Sequence, residues 1–215
     1  VKNALGGTVN DVVLATVAGA VRRFLQRRRV NVDALDFRAL VPVSVRTAEE
    51  RGALGNRVAA WLADLPVAER NPRLRFAKVR ETTAGLKESK QATGADVLAG
   101  MTGWTGSSVL SLALRLAFRA RPFNLVVTNV PGPQTPLYLA DAPMRAVYPQ
   151  VPLFPNQALG VALFSYAGTL YWGFNADWEL MPDLHDFVSA IHTSFAELQG
   201  AAGMRLYDPE YLRAA

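Results

Sequence analysis

Gly6-Gly7-Thr8-Val9-Asn10-Asp11-Val12-Val13-Leu14-Ala15 is the stretch on which the reading of this chain turns. A glycine pair gives way to a hydroxyl, then to two adjacent polar residues, then to a long apolar run. Thr8 is placed to cap a helix, and Asp11 stands three residues on, where a carboxylate reaches back to the cap's own N–H. Asp11 also lies in the first turn, where the helix dipole favours negative charge by roughly 0.3–1 kcal/mol. Val9, Val13, Val17, Ala20, Val21 and Phe24 recur at three and four residues and predict one apolar stripe. Arg22, Arg23, Arg27, Arg28 and Arg29 then put cations at the helix's negative end. Asn10 is left over: it is neither cap nor capping partner, and Asn is a mediocre helix former.

Working outward, the run Phe37–Val45 reads as a strand, with Pro42 pointing to a strand edge or end. Thr47–Gly55 is a charged loop, and Asn56–Leu65 reads as a second strand whose two largely apolar sides suggest burial on both faces. Asn71-Pro72 opens a long helix carrying Phe76, Val79, Thr83 and Leu86 as a thin apolar stripe. Gly and Thr break the pattern at Thr93-Gly94 and from Gly100 to Gly106. Ser107 or Ser108 then caps an apolar helix from Val109 to Phe118, with Arg115 and Arg119 as its charged edge. Leu125–Val130 is a buried-strand pattern stopped by Pro131-Gly132-Pro133. Leu137–Leu139 and Arg145–Tyr148 read as short strands. Ala158–Tyr166, the Ala167-Gly168 turn and Thr169–Asn175 read as a hairpin. Pro182-Asp183 opens a last helix with Leu184, Phe187, Val188, Ile191, Phe195 and Leu198 on its core face, ended by Gly200 and Gly203. No internal repeat or linker interrupts this order. Strands and helices without strict alternation imply an α/β fold: a mixed β-sheet with flanking helices.

Composition narrows the function classes. Of 215 residues half are apolar and none is Cys, so the chain can hold a core but no disulfide, thiol nucleophile or Cys-based metal site. No run reaches the roughly 20 apolar residues of a spanning helix, and the first residues are not a secretory signal. The net charge is +5, yet Arg is mostly scattered among Asp and Glu without a zinc-finger or RNP pattern, so nucleic acid is not an expected partner. His185 and His192 are the only histidines, seven residues apart with no third ligand spaced to join them, so no metal is expected. No nucleophile elbow, P-loop or dinucleotide fingerprint is present.

The Gly6–Ala15 stretch with its Asn10-Asp11 pair resembles the opening of the C-terminal half of the bacterial wax ester synthase/diacylglycerol acyltransferase family. Pro42-Val43-Ser44-Val45-Arg46 and Gly55-Asn56 support the resemblance. Thr128-Asn129-Val130-Pro131-Gly132-Pro133, followed by Pro136-Leu137-Tyr138-Leu139-Ala140, carries it furthest, and Ser165-Tyr166-Ala167-Gly168 resembles the family's hairpin. The family often has Ser where Thr128 stands, which keeps the hydroxyl.

The resemblance implies one half of a chloramphenicol acetyltransferase/condensation-domain-like fold, in which two similar halves flank a channel. It implies a single C-terminal acyltransferase subdomain over 1–215, starting inside a longer polypeptide. The family's His-His-x-x-x-Asp-Gly motif belongs to the N-terminal half, and this sequence has no adjacent histidines. The resemblance thus places no catalytic base in this chain, and the fragment alone is expected to be inactive. It implies transfer from acyl-CoA, a co-substrate rather than a resident cofactor, to diacylglycerol or a long-chain alcohol, giving triacylglycerol or wax ester. The expected partners are the N-terminal half of the same enzyme and a membrane or lipid-droplet surface, peripherally bound from the cytoplasm.

Within that reading Asn10, Asp11, Thr128 and Asn129 are candidates for the channel wall and oxyanion donors. Beside it stand plainer roles: Asp11 capping its helix, Asn10 bracing a loop, and Thr128-Asn129 stabilising a turn. Arg22 and Arg23 are candidates for coenzyme A phosphates, against a solvated helix end. Trp172-Gly173-Phe174 resembles an aromatic-Gly motif of related acyltransferases, with core packing as the default for Trp172. Two alternatives to the enzyme half remain: a non-catalytic scaffold or binding domain of the same fold, and a condensation-type enzyme using carrier-bound thioesters.

Overall fold

A computed structural model describes residues 1–44, 58–88 and 123–204. The expected charged loop, the Gly55-Asn56 motif, the Thr93–Gly106 break and the Val109–Phe118 helix with Arg115 and Arg119 lie outside the described residues. The described chain forms two compact units. One comprises Val1–Phe37, Asp64–Gly85 and the described part of Asp183–Ala215; the other comprises the described parts of Arg38–Ala63 and Leu86–Pro182.

The first unit is helical: α1 (Lys2–Leu5), α2 (Val9–Arg27), most of α3 (Pro72–Glu88) and α4 (Leu184–Ala201). Thr8 and Asp11 form the expected reciprocal capping box at the start of α2. The single apolar stripe expected for α2 is wrong. Val9 is 43% exposed, whereas Val13 through Arg22 are buried without a break. Leu14, Ala15, Ala18 and Gly19 are apolar or small on the far side of the stripe, and a helix apolar all round is driven inward from every side. Phe24 of α2 meets Phe187 of α4 edge to face, with ring centroids 5.7 Å apart. Asn71 caps α3, its side-chain oxygen accepting from the N–H groups of Arg73 (2.9 Å) and Leu74 (3.2 Å). On α4 the buried face runs through Phe187, Ala190, Ile191, Ser194 and Leu198, while Phe195, expected in the core, is 38% exposed. Gly203, at φ +71°, follows the end of α4.

The second unit is a five-stranded mixed sheet in the order β2-β1-β3-β6-β7: β1 (Arg38–Ser44), β2 (Val58–Asp64), β3 (Leu125–Pro131), β6 (Leu159–Tyr166) and β7 (Thr169–Ala176). β3 runs parallel to both β1 and β6, and β6-β7 is the expected antiparallel hairpin. Pro42 lies past the last β1-β3 pair, Leu40↔Val126, where its missing N–H costs that ladder nothing. β2 is an edge strand, so Trp61 and Leu62 are only half-buried, although Ala60 and Ala63 are covered. Leu40, Ala60, Val126, Val151 and Ala162 form one cluster of the core, with Leu62, Phe123 and Phe154 packed against it.

A small antiparallel pair, β4 (Tyr138–Leu139) and β5 (Ala142–Pro143), follows β3. The strand expected at Arg145–Tyr148 is absent. That segment is bracketed by Pro143 and Pro149, neither of which can donate to a ladder, and it is held instead by the Tyr171 hydroxyl donating to the Arg145 carbonyl (3.0 Å).

Candidate functional site

Two regions carry the residues singled out from the sequence for the channel wall and the oxyanion. At the start of α2, Asp11 is 2% exposed and both of its carboxylate oxygens accept from protein donors. One oxygen accepts from the Thr8 N–H (2.7 Å) and hydroxyl (2.8 Å). The other accepts from the Thr83 hydroxyl on α3 (2.7 Å). The carboxylate therefore ties the first turn of α2 to α3, the buried anion answered by three donors. Asn10 beside it is half-buried, and its side chain makes no hydrogen bond among the described residues.

The second region is the end of β3. Leu125, Val126 and Val127 are buried, Thr128 and Asn129 are half-buried, and Val130 and Pro131 are exposed, so the strand leaves the core at Thr128. Successive strand side chains point to opposite faces, so Thr128 and Asn129 serve different sides of the sheet. Neither makes a side-chain hydrogen bond among the described residues. Both neighbours of β3 run parallel to it, so the carboxyl ends of β1, β3 and β6 share one sheet edge, the edge at which open α/β sheets bind ligands.

The residues just beyond are rigid for stated reasons. A side chain at Gly132 would collide with the Phe164 ring, and the Gly132 N–H donates to the Ser165 hydroxyl (3.1 Å). Tyr166 then pins the β4-β5 loop: its hydroxyl accepts from the Leu137 N–H (2.8 Å) and donates to the Met144 carbonyl (2.9 Å). Gly173 lets the Pro149 carbonyl come against β7, and Trp172 and Phe174 stack with centroids 6.0 Å apart, so this motif packs the sheet.

The candidate phosphate residues are engaged within the helical unit. Arg22 is 5% exposed, and its Nη1 donates to the carbonyls of Val67 (3.0 Å) and Ala68 (2.8 Å). Arg23 pairs with Glu197 through Nη2. Sequence reasoning missed Arg75, the largest fully buried side chain among the described residues, at 1% exposure. It donates to the carbonyls of Ala15 (3.2 Å), Glu69 (3.2 Å) and Arg70 (3.4 Å) and to Glu197 (3.3 Å). Burial pushes its pKa below the ordinary arginine value, while Glu197 pulls it back up. The missed signal is its position: Arg75 stands four residues before Val79, on the stripe that buries Phe76 and Thr83. His185 and His192 are both exposed, and the described residues hold no group of three or more His, Cys, Asp or Glu placed for a metal ion.

Comparison with known proteins decides the family. The sequence pattern described as the WS/DGAT C-terminal domain matches residues 54–199, more than half of the chain. The chain belongs to the WS/DGAT C-terminal domain family. A putative diacylglycerol O-acyltransferase of Mycobacterium bovis is 34% identical over 208 residues, covering 95% of this chain and 45% of that protein. A probable diacylglycerol O-acyltransferase of Mycobacterium tuberculosis is 35% identical over 202 residues, covering 89% of this chain and 42% of its own length. The domain thus spans less than half the length of these relatives. A wax ester synthase/diacylglycerol acyltransferase from Marinobacter aquaeolei VT8 superposes with a TM-score of 0.72 at 28% identity, over 94% of this chain and 46% of that one. The first condensation domain of the CDA synthetase superposes with a TM-score of 0.53 at 19% identity, which extends the shared fold to condensation domains. The α/β reading, a mixed sheet with helices in the acetyltransferase- and condensation-domain-like class, is thereby borne out.

Proposed function

We propose that this domain is the C-terminal half of an acyl-CoA-dependent O-acyltransferase that forms triacylglycerol or wax ester. Membership of the WS/DGAT C-terminal domain family, together with the likeness to a solved wax ester synthase/diacylglycerol acyltransferase, carries the reading. In the reaction the hydroxyl of diacylglycerol or a long-chain alcohol attacks the thioester carbonyl. A C–O bond forms, the C–S bond breaks, and the hydroxyl proton passes through a general base to the departing thiolate. That base belongs to the His-His-x-x-x-Asp-Gly half, the domain's partner in the whole enzyme.

This half supplies wall and dipoles. Thr128 is the candidate donor to the oxyanion, and Asn129 and Asn10 are candidates for the channel wall, because each keeps a side chain without a hydrogen-bond partner among the described residues. One such donor contributes about 3 kcal/mol to the transition state. Asp11 holds the start of α2 in place and so positions Asn10. Arg22 and Arg23 meet the phosphates of acyl-CoA, the co-substrate. Among the described residues no helix is long and apolar enough to cross a membrane. The enzyme works from the cytoplasm, peripherally on a membrane or lipid droplet, where its acceptor resides.

The test is donor choice. The polypeptide containing both halves is given labelled palmitoyl-CoA or the same acyl group on a carrier protein, with dioleoylglycerol or hexadecanol as acceptor. Ester formed from the coenzyme thioester is the expected product. Exclusive use of the carrier would make it a condensation-type enzyme, and no turnover with either donor would make it a scaffold.

A further inference from the structure

Four arginines converge on one cavity of the helical unit; Glu197 answers Arg23 and Arg75, and the exposed Asp33 carboxylate stands 3.7 Å from Arg22 Nη1. The cavity measures about 400 Å³ and is lined by Arg22, Arg23, Gln26, Arg70 and Arg75 with Glu197, over a floor at Gly19. Each residue comes from a different local cause. Arg22, Arg23 and Gln26 occupy neighbouring turns near the carboxyl end of α2. Arg70 belongs to the turn before α3, and Arg75 is buried by the α3 stripe. Gly19 is what lets Arg75 lie there, since a Cβ at this position would stand 2.7 Å from the guanidinium carbon.

The donors are only partly used. Arg22 engages backbone carbonyls through Nη1 alone, and Arg23 engages Glu197 through Nη2 alone. Arg70 has no side-chain partner among the described residues. Ser194 Oγ, beside Gly19, is the one buried side-chain polar atom without a partner among the described residues, so the spare guanidinium nitrogens reach solvent. Burial lowers the pKa of Arg75 against the pull of Glu197, and the charges of Arg23 and Arg22 lower it further. Crowded cations with unused planar donors are the chemistry that recognises phosphate.

We propose that this cavity binds a phosphate-bearing ligand, held by the spare donors of Arg22, Arg23 and Arg70 while Glu197 remains the internal counterion of Arg75. The proposal deepens the reading of Arg22 and Arg23 given above and rests on it only for the source of the phosphate. Arg70, Arg75 and Gln26 are added to the site, and the solvated helix end is replaced by a built pocket. Glu197 sets its affinity: among the residues that line the cavity, a second anion enters against one carboxylate and four guanidinium groups, with Asp33 pairing Arg22 from outside the lining.

The experiment is calorimetric titration of the 215-residue chain at low salt with inorganic phosphate, pyrophosphate, coenzyme A and 3′-dephospho-coenzyme A. Arg70→Gln and Arg23→Gln change side chains that are not deeply buried, so both variants keep the fold, checked by thermal melting. Each is expected to weaken pyrophosphate binding about tenfold. Glu197→Gln is expected to tighten it several-fold by removing the competing charge. Arg29→Gln is the charge-matched control, an exposed arginine of the same sequence run that does not line the cavity, and it is expected to change binding less than twofold. A preference for coenzyme A over its 3′-dephospho form, competed by pyrophosphate, assigns the pocket to the coenzyme's terminal phosphate. Equal binding of the two forms, with the same competition, assigns it to the diphosphate. Binding of phosphate and pyrophosphate with no affinity for either coenzyme form assigns it to a free phosphate ligand. No binding of any probe, or equal losses in the Arg70, Arg23 and Arg29 variants, overturns the proposal. Loss of phosphate binding with acyl transfer intact would sink the pocket alone; phosphate binding without turnover by the assembled enzyme would sink the acyl-transfer reading alone.

Discussion

The helical unit and the end of β3 treat polar side chains in opposite ways. In the helical unit each buried charge among the described residues is answered from within: Asp11 by Thr8 and Thr83, Arg22 by two carbonyls and Asp33, Arg75 by three carbonyls and Glu197. At the end of β3, Thr128 and Asn129 emerge half-buried with no side-chain partner among the described residues. Burial without a hydrogen bond is costly, so satisfied polar groups mark where the fold is held. Unsatisfied ones at a strand's carboxyl end mark where something else is met. The contrast separates residues that hold the domain together from those proposed above to line the channel.

The contrast breaks most visibly at Arg75. Arg75→Met leaves three carbonyls unanswered and Glu197 half-paired, and it is expected to cost about 3–5 kcal/mol of stability in denaturant unfolding. A cost below 1 kcal/mol would mean that the network is ornamental. Thr128 should behave in reverse. Thr128→Val in the whole enzyme is expected to lower kcat about 100- to 1,000-fold if the hydroxyl meets the oxyanion, equivalent to about 2.7–4 kcal/mol. Its melting temperature should barely move, since the Thr128 side chain makes no hydrogen bond among the described residues. A lowered melting temperature with unchanged kcat would make Thr128 a turn residue.

Asp11 and Asn10 sharpen the contrast within one turn of helix. Asp11→Ala removes the capping box and the Thr83 contact, at an expected cost of about 2–3 kcal/mol. Asn10→Ala is expected to stay within about 0.5 kcal/mol of the parent in the same unfolding assay. The smallest effect is at acid pH. Lys78 donates to Glu69 and holds its carboxyl below the ordinary glutamate value, and Arg28 does the same for Asp183. Both carboxyls bind protons more readily unfolded than folded. Their contribution is therefore complete above the ordinary carboxylate pKa values and is lost as pH falls through the lowered ones. Glu69→Gln should flatten the acid limb of stability measured between pH 5 and pH 3, slightly.

Much of this was legible in the residues. Thr8 and Asp11 specify their capping box through side chains three positions apart, a local rule that tertiary contacts seldom override. The Ala167-Gly168 turn did the same for the hairpin: both residues take positive φ, 46° and 82°, as a two-residue turn requires. What was illegible depended on partners far along the chain. Arg75 reads as one more cation on a polar helix, because the carbonyl of Ala15 and the carboxylate of Glu197 that admit it inside lie 60 and 122 positions away. The all-round burial of α2 was hidden likewise, since a stripe count weighs large residues and overlooks Ala and Gly on the opposite side. At the candidate site, the motif residues were legible as a family resemblance. That Thr128 and Asn129 lack side-chain partners among the described residues was not, because it depends on where the strand leaves the core.

The central claim is that this domain lends walls and donors to a reaction whose proton acceptor sits in a companion half. The most direct measurement is release of coenzyme A thiol from palmitoyl-CoA with dioleoylglycerol, by the 215-residue chain alone and by the chain joined to its N-terminal half. The account predicts no turnover above background for the chain alone and ester formation by the joined halves. Ester formation by the isolated chain would contradict it.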